Sequence, residues 1–144
     1  MELALAEAEK AASLGETPVG AVVVSPAGDV VGRAHNLVVA ASDPTAHAEI
    51  LAIRQACLTA KSERLPGYGL YVTLEPCAMC AAAISFARIG RLYFGASDEK
   101  GGAVEHGVRF FSAATCHHAP EVYGGIAETR CAALLKDFFR NLRP

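Results

Sequence analysis

Apolar and polar positions along the chain change period in a regular order. Leu3, Ala6, Lys10, Ala11 and Leu14 trace an amphipathic helix, which Gly15 and Pro18 bring to a stop. Val19 to Val24 is an unbroken apolar run, the mark of a strand covered on both faces. Pro26-Ala27-Gly28-Asp29 is turn chemistry, and Val30 to His35 is the expected hairpin partner. Ala46 to Lys61 is apolar over most of its circumference and predicts a buried helix, with Thr45 as its N-cap. Gly69 to Leu74 then predicts a strand, Cys77 to Arg88 a helix and Arg91 to Gly95 another strand. From 96 to 118 the periodicity lapses, which predicts a long functional loop holding a short helical piece. Val122 to Ile126 is expected as a last strand and Ala127 to Leu142 as a terminal helix. Alternation of this kind argues for an α/β fold with parallel pairing. No repeat or linker interrupts it, so one domain is expected over 1–144.

Composition narrows the function classes. At 144 residues and 52% hydrophobic, the chain has ample material for a core and is not a disordered segment. No apolar run reaches the ~20 residues of a membrane span. The start, Met1-Glu2-Leu3-Ala4-Leu5-Ala6-Glu7, is acidic where a secretory signal needs positive charge, so the cytoplasm is expected. Five cysteines, an odd number, argue against a disulfide framework. A net charge of −2 limits any grip on nucleic acid to a local basic patch.

The chemistry concentrates in His47-Ala48-Glu49 and Pro76-Cys77-Ala78-Met79-Cys80, with 26 residues between them. One His and two Cys make three zinc ligands, and Glu49 is a carboxylate to spare. A structural zinc takes four protein ligands, whereas a catalytic one keeps a position for water. The set therefore points to hydrolysis. A Cys-x-x-Cys redox pair is the blander alternative, though the usual aromatic and Gly-Pro context is missing. A structural site completed by Cys57, Cys116, Cys131 or His117-His118 is another. Cys77 and Cys80, three apart, share one helix face, and Pro76 suits a first turn. His47 and Glu49 lie about 200° apart on a regular helix. Both reach one ion only if it lies off the helix end.

The likeness extends past these ligands. Thr45-Ala46-His47-Ala48-Glu49-Ile50 and Leu70-Tyr71-Val72-Thr73-Leu74-Glu75-Pro76-Cys77-Ala78-Met79-Cys80 closely resemble the bacterial tRNA adenosine deaminases of the TadA type. Pro18-Val19-Gly20-Ala21, Asn36, Arg88-Ile89-Gly90-Arg91, Cys131 to Leu135 and Asp137 to Arg140 fit the same pattern. The His-x-Glu and Pro-Cys-x-x-Cys signature is that of zinc nucleobase deaminases at large. The resemblance implies a three-layer cytidine-deaminase-like fold, with a mixed central sheet of about five strands and helices on both faces. It further implies one zinc per chain, no organic cofactor, a homodimer, and adenosine at the wobble position of a tRNA anticodon as substrate. A deaminase of a free base or nucleoside such as guanine or cytosine shares the zinc and Glu49, and remains the alternative.

On this resemblance Glu49 would carry protons between a water activated toward pKa ~7 and the base. Asn36 would hydrogen-bond the purine, and the Ala48 N–H would polarise it. Asp98 would line the mouth of the site, and His118, in the His117-His118 pair, would lie near RNA. Phe139 and Arg140 would stack on and clamp nucleotides, within a basic rim of Lys136, Arg143, Arg88, Arg91, Lys100 and Arg109. Thr17 departs from the pattern, standing where the family usually has a branched aliphatic residue. The apolar Cys77–Ala87 segment needs a face buried beyond the sheet, as a two-fold contact would provide.

Overall fold

The computed structural model describes residues 1–142. Its elements in chain order are α1 (Glu2–Ser13), β1 (Gly20–Val24), β2 (Val30–His35), α2 (Ala48–Ala60), β3 (Gly69–Leu74), α3 (Ala78–Phe86), β4 (Arg91–Ala96), β5 (Glu121–Tyr123) and α4 (Glu128–Leu142). All five strands join one sheet in the order β2-β1-β3-β4-β5. β1 runs antiparallel to β2 and to β3, while β3, β4 and β5 run parallel. The sheet is mixed, as expected. No helix among the described residues is long and apolar enough to cross a membrane.

Side chains along a strand alternate between faces, which assigns each helix to a layer. Ala21, Val23, Leu70, Val72, Leu92 and Phe94 point to one side and form the main core with Ala52 and Ile53 of α2 and Ile84 of α3. The opposite side carries Val22 and Gly95; there α1 and α4 pack with Leu5, Ala96 and Cys131 as a smaller core. The result is three layers. Two glycines set how closely the helices sit. A Cβ on Gly20 would fall 2.0 Å from the Ala4 carbonyl oxygen, and one on Gly32 would fall 2.3 Å from that of Ala52. α1 and α2 thus lie against β1 and β2 backbone to backbone, from opposite sides.

Several expected boundaries and phases shift. The buried face of α1 is Ala4, Leu5, Glu7, Ala8 and Ala11, while Leu3 and Leu14 are exposed. Close approach to Gly20 selects small alanines, so size overrides the stripe read from leucines. α2 buries one face only; Arg54, Gln55 and Leu58 are exposed. Its N-cap is His47, not Thr45, whose hydroxyl is held by Asp43 at 2.7 Å. β5 is Glu121–Tyr123, displaced from the expected Val122–Ile126, because Gly124 and Gly125 (φ 79°) turn the chain away. The long loop holds a single 3-10 turn at Phe110–Ser112. Tyr71, Tyr93 and Tyr123, partners in register, stack on the α1 side with centroids 4.4 and 5.2 Å apart.

Candidate active site

Two helix N-termini converge on one point. His47 caps α2 with extended backbone (φ −75°, ψ 150°), and Cys77 caps α3 likewise (φ −73°, ψ 175°). Neither side chain makes a cap hydrogen bond, which leaves both available as ligands. Glu49 and Cys80 follow within the first turns. The imidazole Nδ1 of His47 lies 3.6 Å from Cys77 Sγ and 3.5 Å from Cys80 Sγ. All three donor atoms lie within 4.8 Å of one another, the one such cluster among the described residues. Nitrogen and sulfur ligands of a tetrahedral zinc stand about 3.6 Å apart when placed at its usual bond lengths. The donor set fits zinc.

The electrostatics agree. The hydrogen bond from Cys80, joined by that of His47, holds the Cys77 thiol down at about 4. That same bond, with burial, pushes Cys80 strongly up. His47 is raised, chiefly by its bond to Cys77. Three donors thus share protons that a cation would displace. The positive ends of α2 and α3 favour the resulting thiolates. Glu49 is 4% exposed, and burial pushes its carboxyl up to about 7. A carboxyl poised there can both take and give a proton near neutrality.

Above these groups lies a cavity of about 450 Å³. His47, Glu49 and Cys77 form its depth, with Thr17, Asn36 and Leu74 beside them. Val38, Val39, Phe138, Phe139 and Leu142 form its rim; Val39, Phe139 and Leu142 are exposed. Apart from His47 and Cys77, the ionisable groups among the described lining residues are the carboxyls of Glu16, Glu49, Glu75 and Asp98. No Lys or Arg among the described residues lines it, so the cavity suits a neutral ring better than a phosphate.

The structure brings most of the expected site residues together. Asn36 is buried, and its Oδ1 accepts the Ala48 N–H at 2.8 Å. That N–H is therefore spoken for, and the polar group Asn36 has left for the cavity is its amide nitrogen. Asp98 lines the cavity and accepts the N–H groups of Lys100 and Gly101. Phe139 stands on the rim, edge to face with Phe138 at 5.4 Å.

His118 lies elsewhere: its Nε2 bonds the Ile89 carbonyl oxygen at 2.7 Å, and its own carbonyl accepts the Ser85 hydroxyl. Arg140 is exposed beside Asp137 at 3.6 Å and does not line the cavity. Arg91 pairs with Glu121, Arg88 donates to the Ser85 carbonyl, and Arg143 is outside the described residues. Among the other cysteines, Cys131 is buried as a small apolar group, while Cys57 and Cys116 are half-buried free thiols.

Two carboxylates of the lining escaped the sequence reading. Glu16, 2% exposed, accepts the N–H groups of Val39 and Ala40 at 3.1 and 2.7 Å. Glu75, also 2% exposed, collects donors from the long loop. Each directly precedes or nearly precedes a proline, Pro18 or Pro76, and that is the only local signal they offer.

Comparison with known proteins matches this geometry. The model of the cytidine and deoxycytidylate deaminase zinc-binding region matches residues 1–96. The tRNA-specific adenosine deaminase of Agrobacterium fabrum is 62% identical over 143 residues, covering 99% of this chain and 93% of that protein. A solved structure from work on A-to-I editing by tRNA:A34 deaminases at the wobble position superposes with a TM-score of 0.92. It is 62% identical and covers 94% of this chain and 97% of its own. The guanine deaminase of Bacillus subtilis is more distant, at 30% identity and a TM-score of 0.63 over 78% of this chain and 82% of its own. The chain belongs to the cytidine and deoxycytidylate deaminase zinc-binding family and, within it, to the tRNA-specific adenosine deaminases.

Proposed function

We propose that this protein hydrolyses adenosine to inosine and ammonia at the wobble position of a tRNA anticodon, with one zinc per chain held by His47, Cys77 and Cys80. The observation that carries the chemistry is the buried Glu49 beside a three-donor set, in a cavity lined by no Lys or Arg among the described residues. Near full-length likeness to tRNA-specific adenosine deaminases supports the choice of RNA over a free base. Bound zinc supplies Lewis-acid activation of a water. Glu49 would take a proton from that water and deliver it to the ring nitrogen as the water oxygen bonds the amino-bearing carbon. It would then carry the remaining proton of the added hydroxyl to the amine as the carbon–nitrogen bond breaks, so that water and adenosine are consumed and inosine and ammonia released.

Asn36 serves as the donor to the purine edge, its oxygen held by Ala48 so that the amide cannot turn. The target base enters unstacked, as chemistry on a base requires. Phe139 and Val39 flank it at the mouth, and Arg140 with Lys136 reaches the backbone outside the cavity. Two copies pair through α3, where Phe86 is 71% exposed. The protein works in the cytoplasm, where tRNA is processed. The test is incubation with an anticodon stem-loop carrying adenosine at the wobble position, and separately with guanine and cytosine. Inosine from the stem-loop alone is expected. Ammonia from the free bases with none from the RNA would overturn the assignment.

A further inference from the structure

Glu75 has no part in the chemistry above, yet its carboxylate is fully buried at the edge of the cavity. It follows the last residue of β3, and its N–H continues the parallel ladder to the Ala96 carbonyl at 2.8 Å. Oε1 accepts the Asp98 N–H at 3.0 Å and faces His106 Nδ1 at 2.8 Å. Oε2 accepts three successive N–H groups, those of Val104, Glu105 and His106, at 3.2, 2.9 and 3.1 Å. Consecutive amides converging in this way form an anion nest, and the anion here comes from the chain itself. The next residue adds a tie, since the Pro76 carbonyl accepts the Ala103 N–H at 2.9 Å. Gly102 allows the approach: a Cβ there would fall 2.5 Å from Glu75 Cδ.

Loop 98–106 is thus anchored to the strand end that leads directly into Cys77. Asp98 and Gly101, which line the cavity, come from that loop. We propose that Glu75 is a positioning residue for substrate binding, registering the Asp98–Gly101 wall against the metal-binding turn. His47, Glu49, Cys77 and Cys80 are carried by the N-termini of α2 and α3, while the hydrogen bonds of the Glu75 carboxylate all go to loop 98–106. Glu75→Gln is the sharpest probe, because it keeps the shape but turns an NH2 toward N–H donors that need an acceptor.

The kinetic assay rests on the RNA reading above and uses the wobble-adenosine stem-loop with the zinc-loaded protein. Glu75→Gln is expected to raise KM about tenfold or more, with kcat within about threefold and zinc content unchanged. His106→Ala, which removes one of five contacts, is expected to move KM in the same direction by less. In Glu75→Gln, hydrogen exchange of segment 98–107 is expected to quicken while α2 and α3 stay protected. An unchanged KM, or a fall in kcat alone, would overturn the proposal. If Glu75→Gln does not fold, Gly102→Ala and His106→Ala decide it on the same split. If the wild type leaves RNA untouched, the RNA reading fails instead, and unchanged exchange in 98–107 then rejects the role of Glu75 separately.

Discussion

Glu49 and Cys80 are neighbours in space with separable duties. Replacing Glu49 by Gln keeps the volume and leaves the donor cluster intact, so zinc should remain at wild-type stoichiometry. Turnover should fall by about 10²–10⁴-fold, the usual worth of a positioned acid–base group. Cys80→Ala should instead lose zinc and with it folding stability, since metal binding and folding are coupled at such sites. Metal analysis beside an inosine assay separates the two, and a Glu49→Gln protein that loses its zinc would refute the division. These residues were legible in the sequence because a metal demands particular atoms at particular spacings. Glu75 and Glu16 were not, since a carboxylate that caps a distant loop leaves no pattern near itself. His118 shows the reverse. The family resemblance placed it near RNA, and the fold bonds its ring to the Ile89 carbonyl, outside the cavity lining.

Packing between elements explains where periodicity misled. Leucine spacing marked the wrong face of α1, because contact at Gly20 admits only small side chains. The same contact on the other side of the sheet can be tested. Gly32→Ala forces a methyl against the Ala52 carbonyl and should destabilise by about 1–3 kcal/mol, read from the urea midpoint. α1 also delivers Glu7 to β2, where Lys10, Arg33 and His35 surround it at 2.8, 3.0 and 3.0 Å. Burial pushes this carboxyl up, but the hydrogen bonds from Lys10, His35 and Arg33 outweigh it and bring it from 4.5 to about 2. The unfolded chain therefore takes this proton first as pH falls. The stabilisation is complete above about 4.5 and is lost between about 4.5 and about 2. Urea midpoints of the wild type and Glu7→Gln should differ at neutral pH and converge across that window.

At the scale of the whole molecule, alternation of strands and helices pointed to the α/β class and to the parallel β3, β4 and β5. The mixed sheet and the three layers were implied by the family resemblance, because the antiparallel placement of β1 between β2 and β3 leaves no mark on the alternation. The exposed Phe86 on α3 then argues for a second copy. Phe86→Asp should shift sedimentation at micromolar concentration from dimer to monomer, and a monomeric wild type would reject the pairing. With a net charge of −2 and no Lys or Arg among the described residues of the cavity lining, the proposed RNA binding is expected to weaken only modestly with salt, as a titration of the stem-loop at several salt concentrations would read. The rim has a further consequence. Part of its apolar edge comes from Phe138, Phe139 and Leu142 at the end of α4, far along the chain from His47, Glu49 and Cys77, which line the same cavity. Under the proposed function, part of the substrate rim and the proton-transfer group are thus carried on separate stretches of sequence. Exchanging the last turns of α4 between relatives is expected to change which nucleic acid is taken while leaving the reaction as it was.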